Sequence, residues 1–152
     1  MPAITPSQYL VAFLFQTLIF AFFCWSLYKA LLRVRESNRT IPAGLVWLLL
    51  IPGFSLFWNF KVVASMSSSL HKEFTDRDFE IERQPGFNYG MIYASLAVLP
   101  SILVLIVPAL MILAAILNLI GLIFFVMYWI KINWYRKVLE NDDAGDSEDP
   151  SL

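Results

Sequence analysis

The residues best equipped for chemistry lie between Lys61 and Arg83. His71, the single histidine of the chain, follows Ser68 by three positions and precedes Lys72, Glu73 and Asp76. Serine, histidine and carboxylate are the parts of a nucleophilic relay, so hydrolysis of a lipid ester is one chemistry to weigh. The spacing speaks against it. Two residues apart on a helix, His71 and Glu73 face different ways, and no motif marks Ser68 as an activated nucleophile. One histidine and one cysteine also leave no ligand set for a haem, a cysteine-rich metal site or an intrachain disulfide. Cys24 reads as a small apolar residue of the run around it. No catalytic, cofactor-binding or metal-ligating residue is expected.

A second set of polar groups lies inside apolar surroundings: Gln16, Ser55, Asn59 and Asn118, with Lys61 at a rim. Such groups either satisfy one another between helices or line a path through a membrane. Asn59 follows a Pro52-Gly53 break on the helix leading to Lys61, and broken helices commonly border ion and substrate sites. An oligomeric channel or transporter for small solutes or ions would therefore use Asn59, Asn118 and Lys61. Four short segments enclose little volume by themselves, and no carboxylate lies in an apolar run to couple protons or cations.

The elements that must position these groups follow from the charge pattern. Of 152 residues, 59% are hydrophobic and 15% charged, whereas soluble domains devote about a quarter to charge. No Asp, Glu, Lys or Arg occurs in 1–28, 40–60 or 84–130. Runs of that length mark transmembrane segments. The sequence predicts an all-α integral membrane protein forming one membrane domain over 1–139. Its four hydrophobic helical segments fall at about 9–31, 42–60, 87–107 and 109–130. The first lacks a basic n-region and a cleavage site, so it is expected to stay as an anchor. The second is interrupted by Ile51-Pro52-Gly53, as a kinked helix that barely spans or as a re-entrant hairpin.

An amphipathic interfacial helix is expected over about 61–74. Val63, Met66, Leu70 and Phe74 share one side, opposite Lys61, Ser65, Ser68 and Lys72. The hydroxyls of Ser65 and Ser67 to Ser69 weaken the case for regular helix within it, because they compete for backbone partners. Pro108 is the expected corner between the last two segments, Pro100 a kink, and Asn118 with Gly121 a point of close helix contact. The acidic stretch 140–152 is expected to be a disordered, solvated tail.

Basic residues favour the cytoplasmic side. They cluster at Lys29, Arg33, Arg35 and Arg39, at Lys61, Lys72, Arg77 and Arg83, and at Lys131, Arg136 and Lys137. Four simple spans divide these clusters between the two sides. A re-entrant second segment puts all of them, and the C-terminus, in the cytoplasm.

Pro42-Ala43-Gly44-Leu45-Val46-Trp47-Leu48, then Ile51-Pro52, Phe54, Trp58 and Phe60, resembles a pattern in a group of small multi-span inner-membrane proteins of bacteria. Ser67, Ser69-Leu70, Glu73-Phe74, Tyr128-Trp129, Lys131-Ile132 and Tyr135 extend the resemblance over most of 42–139. It implies a bacterial cytoplasmic membrane and carries no activity with it.

With a net charge of -1, nucleic acid is not an expected partner. The expected partners are the lipid bilayer and either a larger heterologous membrane complex or further copies of the chain. The leading expectation is a non-catalytic accessory or scaffold protein that binds such a complex or organises lipid. Its contact surface would come from Trp47, Phe54, Phe57, Trp58 and Phe60.

Overall fold

The computed structural model describes residues 6–148. Four α-helices account for most of them: α1 (Pro6–Arg33), α2 (Phe54–Asp76), α3 (Phe87–Ile106) and α4 (Met111–Glu148). A 3₁₀ helix, Ala43–Leu50, precedes α2, and a short 3₁₀ turn, Pro108–Leu110, joins α3 to α4. Among the described residues no strand occurs. Three of the helices, α1, α3 and α4, are long and apolar enough to cross a membrane. That is the makeup of an integral membrane protein.

The second apolar segment is not one kinked helix. Its first arm has the three-residue repeat that a 3₁₀ helix eclipses onto one face. Ala43, Val46 and Leu49 are accordingly all buried. Gly53 then takes φ +79°, a backbone that L-residues rarely adopt, and the chain reverses into α2. The two arms lie side by side: the Trp58 indole Nε1 donates to the Leu45 carbonyl at 2.9 Å. Farther from the turn, the Thr40 hydroxyl donates to the Ser65 carbonyl at 2.8 Å. The Thr40 backbone N–H donates to Ser69 Oγ at 2.9 Å.

Those contacts correct one expectation about α2. The serine run stays helical, and Ser65 is buried rather than on the outer side with Lys61, Ser68 and Lys72. Small hydroxyl side chains let the loop after α1 approach α2 closely, and the loop uses them as hydrogen-bond partners. The expected amphipathic element is therefore the continuation of the helix that starts at Phe54.

Aromatic rings hold the middle of the bundle. Phe23 on α1 contacts Phe125 at 4.7 Å between ring centroids, Trp129 at 5.9 Å and both Tyr93 and Tyr128 at 6.1 Å. Tilted and edge-on pairs such as these add to simple burial. Asn59 on α2 is pinned to α3, its Oδ1 accepting from the Tyr93 hydroxyl at 2.5 Å. Trp129 Nε1 donates to Ser26 Oγ at 2.9 Å and joins α4 to α1. Gly90 lets α3 settle between α2 and α4. A Cβ there would lie 2.5 Å from Val63 Cγ1 and 2.9 Å from Tyr128 Cε2.

The last helix exceeds its expected length. α4 passes the apolar run and continues to Glu148, so residues 140–148 are helical rather than a disordered tail. The carboxylates of Glu140, Asp142 and Asp143 find basic partners in Arg33 of α1 and Arg77 beside α2. Positions 149–152 of that expected tail lie outside the described residues.

Gly90→Ala should destabilise the bundle by about 1–3 kcal/mol, the usual cost of overpacking. Gly145→Ala, where nothing lies within 4 Å, should not. Denaturant titration in detergent micelles, followed by circular dichroism, measures both.

Candidate functional site

Two places concentrate polar groups. The first is built on Glu73, which α2 carries on the same face as Met66 and Leu70 and which is 0% exposed. A carboxylate without water requires donors on its oxygens. Glu73 Oε2 accepts from the Arg35 backbone N–H and from Asn38 Nδ2, each at 2.9 Å. Oε1 accepts from Arg77 Nε and Nη2, again at 2.9 Å. Asn38 Nδ2 also donates to Asp76 at 2.8 Å.

Arg77 carries the network onward. Its Nη1 reaches Asp142 at 2.8 Å and Asp143 at 2.7 Å on α4. Burial opposes its charge, but hydrogen bonds to Asp142, Asp143 and Glu73 outweigh that and raise its pKa above the ordinary arginine value. Arg33 at the end of α1 pairs with Glu140 at 2.7 Å and more loosely with Asp143 at 3.6 Å. One end of the molecule is thus an interlock of α1, its following loop, α2 and α4. Glu73, Asp76, Arg77, Arg33, Glu140, Asp142 and Asp143 each have a partner within it.

The relay suggested by Ser68, His71 and Glu73 is not assembled. Ser68 is exposed and Glu73 is engaged elsewhere. The His71 Nδ1 is buried with no hydrogen-bond partner among the described residues. Among the described residues, no three His, Cys, Asp or Glu side chains gather as a metal-binding group.

The second place is a cleft of about 510 Å³ between α1, α3 and α4. Ala12, Gln16 and Phe20 line it from α1, Tyr93, Leu96 and Ala97 from α3, and Asn118, Gly121 and Phe125 from α4. Gly121 permits the close α3–α4 approach expected of it, a Cβ there lying 3.0 Å from Leu96 Cβ. Asn118 makes no interhelical hydrogen bond among the described residues; it lines the cleft together with Gln16.

The residues proposed for conduction are therefore dispersed. Asn59 is consumed by Tyr93, Lys61 is exposed on α2, and Asn118 lies in the α1–α3–α4 cleft. The Glu73 network escaped the sequence reading, although a signal existed. Glu73 recurs seven residues after Met66 on the apolar stripe, and Arg77 follows at the four-residue spacing of a helical ion pair.

Comparison with protein-family models, with curated proteins and with solved structures found no match to this chain.

Replacing Arg77 by Met should cost about 3–5 kcal/mol, since it strands a buried carboxylate. Arg33→Met, which breaks half-exposed pairs, should cost under about 1 kcal/mol. Thermal unfolding of the two variants in one detergent compares them.

Proposed function

We propose that this chain is a non-catalytic membrane scaffold or accessory protein, working in the cytoplasmic membrane of a bacterium. The observation that carries this reading is the dispersal of its polar groups. Asn59, Asn118 and Lys61 occupy three separate environments, and the buried acid is spent on holding helices together. Hydrolysis needs a base beside a nucleophile, which Ser68 and His71 do not provide. What the molecule offers its surroundings is apolar surface. Phe57 is 79% exposed, with Phe54 at 45% and Ile51 at 49% beside it around the Pro52-Gly53 turn. Trp47, by contrast, packs on Trp25 and Tyr28. Phe54 and Phe57 are the contact residues for lipid or for a heterologous membrane protein.

In this reading 42–60 is a re-entrant hairpin. Its 3₁₀ arm of eight residues advances about 16 Å, and α2 back to Ser65 about 18 Å. Both are roughly half of a hydrocarbon core of about 30 Å, so the tip reaches mid-membrane and the arms return to one side. Pro52 has no N–H to satisfy at that depth, and the Ser55 N–H donates to the Ile51 carbonyl at 3.0 Å. The Glu73 network supports the same topology, because it ties the loop after α1, the end of α2 and the acidic end of α4 into one cluster. That cluster belongs in the cytoplasm, with the basic residues.

Single cysteines at Glu36, Asp78, Asn141 and Ala109 in a Cys24→Ser background test the arrangement in sealed vesicles. The first three should react with an impermeant maleimide from one side and Ala109→Cys from the other. Opposite sides for Glu36→Cys and Asp78→Cys would make the second segment a true span. Purified protein in liposomes should pass no more ions than empty vesicles. Ion flux abolished by Asn118→Leu would replace the scaffold reading with conduction.

A further inference from the structure

The cleft between α1, α3 and α4 poses a problem that lipid does not solve. Gln16 and Asn118 line it, are both exposed, and have no hydrogen-bond partner among the described residues. Asn118 lies midway along α4 between Pro108 and Tyr128, about 15 Å from either. Gln16 is similarly central in α1. Membrane at that depth holds acyl chains only. Water and the ester carbonyls of lipids lie near the surfaces, and an unpaired amide in hydrocarbon costs several kcal/mol. Whatever fills the cleft must therefore bring hydrogen-bonding groups to the membrane midplane.

We infer that the cleft is a self-association site, occupied by α1 of a second copy of this chain. A carboxamide carries both a donor and an acceptor, so it is its own complement. A two-fold axis along the membrane normal sets each residue of one copy at the same depth as in its partner. The interface is then isologous, with the amides of one copy facing those of the other. Interhelical amide pairs of this kind are a recognised source of helix association in lipid.

Two further observations fit this occupant. All buried residues of α1 lie from Phe23 onward, so its first half presents apolar surface that its own bundle leaves uncovered. Tyr9, Val11, Phe13 and Phe15 are each 60–66% exposed. Ala12 and Ala97 in the cleft wall keep side-chain bulk low where a second helix backbone must come close. The dimer rests on the scaffold reading only in that it supplies the means by which a scaffold becomes bivalent, with two hairpin tips on one particle.

The test is Förster transfer between donor- and acceptor-labelled full-length protein in phosphatidylcholine–phosphatidylglycerol vesicles, over a range of protein-to-lipid ratios. The parent should show transfer that saturates as a dimer. Gln16→Leu and Asn118→Leu should each weaken association roughly three- to thirty-fold, and Asn118→Gln should retain it. Both leucines sit at exposed positions, and unchanged circular dichroism checks that the bundle stays folded. Transfer insensitive to both leucines, or no transfer at any ratio, would overturn the inference. A heterologous helix seated in the cleft would appear as a monomer in vesicles, again overturning it while leaving the scaffold reading intact. A saturating dimer that conducts ions would do the reverse.

Discussion

A carboxylate removed from water dictates the arrangement of everything around it. Glu73 is sealed on the inner face of α2, and four donors converge on its two oxygens. Two of them come from the loop after α1, which Thr40 also fastens to Ser65 and Ser69 of α2. The other two come from Arg77, whose remaining nitrogen then needs acids of its own and finds them on α4. Such a network is strong as a set and weak in its parts, since losing one member leaves the others buried and uncompensated. Three helices and a loop are thereby registered against one another at one end of the molecule.

Elsewhere the bundle relies on shape. Between helices in lipid there is no hydrophobic drive of the kind that water supplies, so contact must come from packing and hydrogen bonds. The rings around Phe23 and the Tyr93–Asn59 and Trp129–Ser26 bonds provide both. Toward Pro6 these devices stop, and α1 parts from α3 and α4. The molecule is accordingly tight at its charged end and open at the opposite end of α1. The amides of Gln16 and Asn118 are on the open side of that boundary.

Sequence made some of this legible and hid the rest for definite reasons. Charge-free runs locate α1, α3 and most of α4, because only apolar side chains suit lipid over that length. Pro52-Gly53 marks the break in the second segment. It does not tell which way the chain leaves, since that depends on Thr40 meeting Ser65 and Ser69 across the turn. The serine run looked like a helix weakness when it is a docking strip. Asp142 and Asp143 looked solvated because their partner, Arg77, is 65 and 66 residues away in the chain. Gln16 and Asn118 were visible as polar residues in apolar runs. Their sharing of one cleft follows from the parallel course of α1 and α4, which no local pattern encodes.

The unbroken course of α4 has a mechanical consequence. A helix of 38 residues is about 57 Å long, nearly twice the hydrocarbon thickness. Asn118 and the Asp142–Asp143 pair ride on the same rigid rod, about 36 Å apart. A tilt of about ten degrees pivoting near Asn118 sweeps the acidic end through about 6 Å, twice the length of a hydrogen bond. One continuous helix thus ties the position of Asn118 among the apolar helices to that of the acids among the arginines.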